Sequence, residues 1–160
     1  MLSISLICVG RMRETHYISA FAEYEKRLKP YCKLDLIELP EIKLPQNPSQ
    51  AEIDSGLQKE SLEIENSIPS GAYVIALCIE GKQLSSTEFA GLFHKCANEG
   101  KSRLCFIIGS SFGLDNCIKK RADFCLSMSE MTFPHHLARV MLAEQIYRGI
   151  MINENSKYHK

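Results

Sequence analysis

The stretch RLCFIIGSSFG, residues 103–113, joins a short apolar run to a loop that contains two glycines. The run is rich in apolar residues and stops at a glycine, as a fully buried strand does. Two further stretches have the same character, SISLICVG at residues 3–10 and AYVIALCI at residues 72–79. Apolar strands without polar alternation are typical of a parallel sheet that is covered on both faces.

The segments between these strands predict helices and a more exposed strand. Apolar residues recur at helical spacing across residues 11–28, and Pro30 ends that helix. Residues 33–39, KLDLIEL, alternate as a half-buried strand does, and residues 49–68 predict a polar helix. Strands and helices therefore alternate, which predicts an α/β fold with a mostly parallel sheet and helices on both faces. The length suits a single domain over residues 1–160.

The second half of the chain continues the alternation. A helix is expected to begin after Ser85 or Ser86, with Glu88 placed for a capping box. A further strand is expected within residues 123–129. Pro134 then lies where the first turn of a last helix tolerates proline.

Composition narrows the class of protein. The chain has 19 basic and 19 acidic side chains, and this balance argues against a strongly basic nucleic-acid module. The seven cysteines include no CxxC pair and no zinc-like Cys/His spacing, so we expect reduced, buried thiols, a cytoplasmic protein and no metal. No basic signal peptide opens the chain, and no apolar run approaches the roughly 18 residues of a membrane span.

A ligand is expected where strands end, because open α/β sheets bind ligands beyond the carboxyl ends of their strands. Three such ends carry suggestive loops: LCIEGKQLSS at residues 77–86, FIIGSSFG at 106–113 and LSMSEMTF at 126–133. The glycine loop matches neither the dinucleotide fingerprint nor the P-loop. A tight strand-to-helix turn without a ligand is therefore the alternative interpretation.

The C-terminal part has three unusual features. Residues 137–152 form a helix that is apolar on more than one side, which indicates burial or a two-fold dimer contact. His135 and His136 diverge by about 100° on a helix, so sharing one metal is difficult, and a structural role is the ordinary interpretation. The tail SKYHK, residues 156–160, is either a frayed end or a functional segment.

These segments together resemble one family. The order AYVIALCIEGKQLSS, FIIGSSFG, LSMSEMTFPHHLARVMLAEQIYRG and terminal YHK resembles the bacterial large-subunit (23S) rRNA pseudouridine N(3)-methyltransferases, which are small SPOUT-class enzymes. The stretch VGRMRETHYISAFAEYEKRLKPY is similar to the family's N-terminal strand and helix, so the resemblance covers essentially the whole chain. It implies a trefoil knot near the C-terminus, S-adenosylmethionine as cofactor and a homodimer. It also implies methylation of a pseudouridine at N(3) in large-subunit ribosomal RNA.

The resemblance also implies roles for individual residues. The cofactor-binding positions would lie on the three strand-end loops: Leu77, Gly109, Met128, Ser129, Glu130, Met131, Thr132 and Phe133. His159, with Tyr158 beside it, and Arg139 are the catalytic candidates, and which group removes the proton from the base stays open. His159 could accept that proton, being a side chain poised near physiological pH. Arg139 could bind phosphate or the anionic base, or could instead form a salt bridge with a nearby carboxylate.

The chain departs from the family pattern at one position, and two other functions are alternatives to the one that the resemblance implies. The family usually has a second glycine where this chain has Ser110, which would be strained if that position needed positive φ. An inactive ribosome-associated RNA-binding protein of the same fold is the main alternative function. A different nucleotide-using α/β enzyme, such as a small oxidoreductase, is disfavoured by the missing GxGxxG motif. The assembled ribosome is the expected substrate, with the free subunit as the alternative.

Overall fold

The computed structural model describes residues 1–160, which form five strands and five helices in strict alternation. In chain order these are β1 Leu2–Val9, α1 Thr15–Leu28, β2 Cys32–Leu39, α2 Gln50–Ser67, β3 Tyr73–Gln83, α3 Ser86–Asn98, β4 Arg103–Ile108, α4 Asn116–Arg121, β5 Phe124–Ser127 and α5 His135–Asn153.

The strands form one sheet in the order β2-β1-β4-β3-β5, and every pairing is parallel. The sheet is therefore fully parallel, and helices connect successive strands as crossovers of this kind require. Because all five strands point the same way, their carboxyl ends lie along one edge. The loops that follow β3, β4 and β5 are neighbours there, since these three strands are adjacent in the sheet.

Two hydrophobic cores lie on opposite faces of the sheet, which confirms the predicted α/β architecture. The larger core joins the sheet to α1, α3 and α5, and the smaller one joins it to α2 and α4. Alternation along the central strands divides the side chains: in β4, Phe106 faces the larger core and Ile107 the smaller, and both are fully buried. This is the double coverage that their continuous apolar sequences predict.

Element boundaries differ from the sequence predictions in two places. Helix α1 begins at Thr15, not Arg11, because the preceding residues form the loop that carries the Met12 N–H to the Glu38 carboxylate at 2.9 Å. Strand β3 continues to Gln83, four residues beyond the apolar run, by a second pairing with β5. The capping box before α3 is confirmed, with Ser85 as the N-cap and Glu88 as its partner.

The end of β3 crosses β5 at very short range. Leu126 of β5 is opposite both Leu77 and Lys82, so β3 changes register across residues 78–81. A Cβ at Gly81 would lie 2.7 Å from the carbonyl oxygen of Cys125. Only glycine permits this backbone contact, which is consistent with the chain crossing that a knot requires. The knot itself stays an expectation of the resemblance.

Candidate active site

A cleft of about 840 Å³ lies at the carboxyl edge of the sheet, where sequence analysis expected a ligand. Its walls are the ends of β3 and β4, the loop after β4, the loop after β5 and the first turn of α5. Pockets for small organic ligands have volumes of roughly 300–1,000 Å³, so the cleft has room for a cofactor-sized molecule.

The structure brings seven of the eight expected cofactor positions to this cleft. Those that line it are Leu77, Gly109, Met128, Ser129, Met131, Thr132 and Phe133. Glu130 is exposed and is not part of the cleft wall, so its side chain would have to reorient to contact a ligand there. Whether these residues bind a cofactor stays a prediction.

The glycine loop after β4 is a tight turn whose shape depends on both of its glycines. Gly113 has φ +86°, and its N–H donates to the Ser110 carbonyl at 2.9 Å. A Cβ at Gly109 would lie 2.2 Å from the Gly113 carbonyl oxygen, closer than any real contact. Gly109 is therefore required by close approach of the backbone, and Gly113 by its positive φ.

Ser110, the departure from the family pattern, fits the turn without backbone strain. Asn155 is the only non-glycine residue with positive φ, so Ser110 does not have the left-handed conformation. The serine hydroxyl donates to Glu60 Oε1 at 3.0 Å, and both residues are buried. The added Cβ and hydroxyl are thus accommodated by a specific partner on α2.

Glu60 is a functional candidate that sequence analysis missed. Its other oxygen, Oε2, accepts from the Ile42 N–H at 3.1 Å, and its side chain is 6% exposed. Burial, reinforced by the nearby Glu41 carboxylate, raises the pKa of Glu60 despite these two hydrogen bonds. The signal was present in sequence, because Glu60 shares a helix face with Gly56 and Ile64, both buried, where an apolar residue is ordinary.

The loop after β5 is stabilised by hydrogen bonds of its own serine side chains. The Ser127 hydroxyl donates to the Ser129 carbonyl, and the Ser129 hydroxyl accepts from the Met131 N–H, both at 3.0 Å. These bonds use the Ser129 side chain for the loop itself and leave Met131 73% exposed at the rim of the cleft. The Met-Ser-Glu-Met stretch is therefore held in shape by its own serines.

The two histidines at the start of α5 have different surroundings. His135 lines the cleft, and burial, with the neighbouring His136, lowers its pKa, so that the neutral imidazole is favoured at pH 7. His136 instead bonds Glu14 Oε2 through Nδ1 at 3.0 Å, across the gap to the start of α1. No group of three or more His, Cys, Asp or Glu side chains is arranged to hold a metal ion.

Arg139 is fully buried behind the cleft and does not line it. Its guanidinium donates to Glu38 Oε2 at 2.7 Å and to the Gly10 carbonyl at 2.8 Å. Of the alternatives open at the sequence level, the structure shows the salt bridge. Burial alone would raise the pKa of Glu38, but the hydrogen bonds from Met12 and Arg139 hold that pKa below its usual value.

The C-terminal tail folds back on the far end of α5. The Tyr158 hydroxyl donates to Glu144 Oε1 at 3.2 Å, and its ring lies 4.9 Å from the Tyr147 ring. The His159 Nδ1 is 3.4 Å from a guanidinium nitrogen of Arg148. Ala138 is the last residue of α5 in the cleft wall, and Glu144 and Arg148 lie about 9 and 15 Å beyond it along a helix that rises about 1.5 Å per residue. The structure therefore separates the two tail candidates from the cleft of their own chain.

Basic side chains occur in several short runs of the sequence, among them residues 101–103 and 119–121, and the fold separates these runs. Lys119 reaches the cleft but forms a salt bridge with Glu80, and Arg121 lies 4.0 Å from Glu65. Arg103 begins β4, at the edge of the sheet opposite the cleft. Arg11 and Arg13 follow β1 at the carboxyl edge of the sheet, where both are exposed and neither forms a salt bridge within 4.0 Å. No helix is long and apolar enough to cross a membrane.

Comparison with known proteins identifies the class that this fold and cleft define. The family model described as "Predicted SPOUT methyltransferase" matches residues 2–159. A probable methyltransferase from Bordetella pertussis Tohama I has a similar fold, with a TM-score of 0.58 and 15% identity over 92% of this chain and 93% of that one. A probable methylase family protein from Haemophilus influenzae Rd KW20 gives 0.54 and 13% identity, over 99% of this chain and 70% of that one. The chain belongs to the SPOUT methyltransferase family.

Curated relatives show to which branch of this family the chain belongs. The chain is 48% identical over 159 residues to "Ribosomal RNA large subunit methyltransferase H" of Streptococcus suis (strain 05ZYH33), covering 99% of this chain and all of the relative. The protein of the same name from Bacillus thuringiensis (strain Al Hakam) is 45% identical with the same coverage. Identity and full-length coverage place the chain in this branch of the family, which confirms the resemblance seen in the sequence.

Proposed function

We propose that this protein is an S-adenosylmethionine-dependent methyltransferase that methylates N(3) of a pseudouridine in large-subunit ribosomal RNA. The main support for the proposal is the cleft, whose walls include three strand-end loops. These are the loops that the resemblance assigns to cofactor binding. The names of the full-length relatives supply the substrate class. The chain would act as one domain over residues 1–160, in the cytoplasm with the ribosome.

The cleft fits the proposed cofactor in size and chemistry. Its lining combines apolar side chains, such as Leu77 and Phe133, with the backbone of the glycine loop, which can approach a ligand because Gly109 has no Cβ. When bound, S-adenosylmethionine supplies an electrophilic methyl group on its sulfonium. The loops after β3, β4 and β5 would hold the adenosine and methionine parts by backbone groups and apolar contacts.

The residues of the chain would then orient the target base and take its ring proton. Holding both reactants in one geometry is the main contribution of such a site. We assign the proton acceptor to His159 and a neighbouring positioning contact to Tyr158, both on the C-terminal tail. Arg139 would contribute from behind the cleft, because its bonds to Glu38 and Gly10 fix the start of α5 against β1 and β2.

A homodimer would bring the tail to a cleft. Within one chain Tyr158 and His159 contact the far end of α5, so a tail that acts in catalysis would reach the cleft of a second copy. The outward side of α5 suits that contact, since Leu137, Val140 and Met141 are only partly buried in the single chain. A two-fold axis across this face would pair each cleft with the tail of the other chain.

Calorimetric titration with S-adenosylmethionine tests the cofactor assignment, with NADH as the comparison ligand. Saturable binding of S-adenosylmethionine alone supports the proposal and argues against an oxidoreductase. Absence of binding contradicts the roles given to Gly109 and the Met128–Phe133 loop. Binding without methyl transfer to ribosomes would favour the inactive ribosome-associated alternative.

A further inference from the structure

A buried carboxylate lies directly behind the glycine loop of the cleft. Glu60 is 6% exposed, and its two oxygens contact two different segments: Oε1 accepts from the Ser110 hydroxyl at 3.0 Å, and Oε2 accepts from the Ile42 N–H at 3.1 Å. Ser110 belongs to the turn that lines the cleft, whereas Ile42 lies in the segment between β2 and α2. Glu60 therefore connects α2, the β2–α2 segment and the glycine loop.

The charge on this group has no cation to balance it. Glu60 forms no salt bridge, its charged neighbour Glu41 is also an acid, and its two hydrogen-bond donors, the Ser110 hydroxyl and the Ile42 N–H, are neutral. A buried carboxylate without an ionic partner costs free energy, so a role in stability alone does not account for it. An apolar residue on this face of α2 would be the stabilising choice.

The hydrogen bond between Glu60 and Ser110 supports one particular turn of the cleft. The Gly109–Gly113 turn is closed by the bond from the Gly113 N–H to the Ser110 carbonyl, and it has no other side-chain support of comparable burial. The adjacent Ser111 hydroxyl makes only a longer contact of 3.4 Å with Glu41 in an exposed setting. Removing the Glu60–Ser110 bond would leave the turn with its backbone hydrogen bond and the longer, exposed contact of Ser111.

We propose that Glu60 is a positioning residue for the cofactor cleft, acting through the Ser110 hydroxyl to fix the Gly109–Gly113 turn in its binding conformation. The inference rests on the proposed function, because it takes the cleft to be the S-adenosylmethionine site. It assigns to Ser110 a purpose that a glycine at that position could not serve.

The test compares Glu60→Gln, Ser110→Ala and the double variant with a matched control, Glu63→Gln. Glu63 is on the same helix one turn from the site but is exposed. Calorimetry with S-adenosylmethionine, well below the melting temperature of each variant, should show affinity about tenfold weaker for Glu60→Gln and for Ser110→Ala. The double variant should be no weaker than the weaker single variant, because both changes act on one hydrogen bond: Glu60→Gln replaces its charged acceptor with a weaker neutral one, and Ser110→Ala removes its donor. Glu63→Gln should bind as the unmodified protein does.

A pH series separates positioning from a general structural role. Burial raises the pKa of Glu60, so this group should take up a proton at a higher pH than an exposed glutamate does. Protonation weakens Glu60 as an acceptor for the Ser110 hydroxyl, so affinity for S-adenosylmethionine should fall as the pH is lowered in the unmodified protein. The Glu60→Gln variant should lack this decline, while Glu41, the other acid facing the group, remains in both proteins.

The outcomes are distinguishable. Equal cofactor affinity in Glu60→Gln and the unmodified protein would overturn the inference, even if the melting temperature fell. Additive losses in the double variant would also overturn it. If the unmodified protein fails to bind S-adenosylmethionine, the proposed function fails first.

Discussion

At the scale of single residues, Arg139 stands out because it is the largest side chain that is completely buried. A guanidinium cannot lose its charge inside a protein, so it needs partners with fixed geometry. Glu38 and the Gly10 carbonyl provide them, and together they tie the start of α5 to the ends of β2 and β1. This ion pair therefore helps to hold the part of α5 that forms the cleft wall.

Replacing Arg139 with methionine should lower the free energy of unfolding by about 3 kcal/mol, because it removes the ionic partner of Glu38, leaving it only the Met12 N–H, and the donor to the Gly10 carbonyl. Urea denaturation at pH 7 measures the loss. The matched control is Arg27→Met, which removes a solvent-exposed ion pair with Glu23 and should cost much less, because water screens exposed charges. Similar losses in the two variants would contradict the importance given to the buried pair.

The same ion pair predicts how stability depends on pH. The pKa of Glu38 is lower in the folded chain than its ordinary value near 4.5, so the pair stabilises the fold above that value. This contribution should be lost as the pH falls from about 4.5 through the folded pKa. Denaturation of Glu38→Gln across that range should show a shallower decline than the unmodified protein. Parallel curves would show that the group does not contribute.

Sequence alone predicted the residues of the cleft better than those behind it. Gly109 and the Met128–Phe133 loop could be chosen because strand ends and glycines leave local patterns. The partners of Arg139 and Ser110 could not, since Glu38 and Glu60 are 101 and 50 positions away in the chain. Such pairs depend on the tertiary fold, which no local spacing encodes.

At the scale of elements, the cleft depends on how tightly β4 turns into the loop before α4. The positions of β1, β3 and β4 followed from their continuous apolar sequences, that of β2 from its alternation, and the capped start of α3 from Ser85 and Glu88. The extension of β3 to Gln83 could not be predicted, because EGKQ is polar and pairs with β5 only through a change of register. The start of α1 was also missed, because Met12 has apolar character but belongs to the preceding loop.

The Gly109→Ala variant should fold less stably and lose most of its affinity for S-adenosylmethionine, since the new Cβ would meet the Gly113 carbonyl at 2.2 Å. Calorimetry and thermal denaturation provide the measurements. Gly91→Ala on α3 is the control, because nothing lies within 4 Å of the added Cβ. That change should stabilise the helix by roughly 0.5–1 kcal/mol without altering binding. Unchanged binding by Gly109→Ala would remove the glycine loop from the site.

At the scale of the whole molecule, one chain has a cleft at one end of α5 and a catalytic candidate, His159, near the other. A dimer with this arrangement would explain why α5 is apolar on more than one side. The inner surface of α5 packs on α1 and α3. Its outer surface is available to a second copy. The sequence predicted both the ligand site at the strand ends and the catalytic candidate on the tail. Their separation within one chain could not be predicted, because it depends on the contacts of Tyr158 with Glu144 and Tyr147.

Mixed dimers test whether the tail acts in the neighbouring subunit. A chain lacking Lys157–Lys160 and a Gly109→Ala chain should each be inactive alone. Randomly mixed, they should recover about a quarter of the unmodified activity, because half of the dimers combine one intact cleft with one intact tail from the other chain. A mixture that stays inactive would indicate that each tail serves its own cleft.

The most direct measurement of the central claim is methyl transfer from radiolabelled S-adenosylmethionine to ribosomes that lack the modification, with free large subunits assayed in parallel. The proposed function predicts label in large-subunit ribosomal RNA alone, on N(3) of a pseudouridine, and no label with the Gly109→Ala variant. Label on another nucleotide, or no transfer by a protein that binds the cofactor, would contradict it.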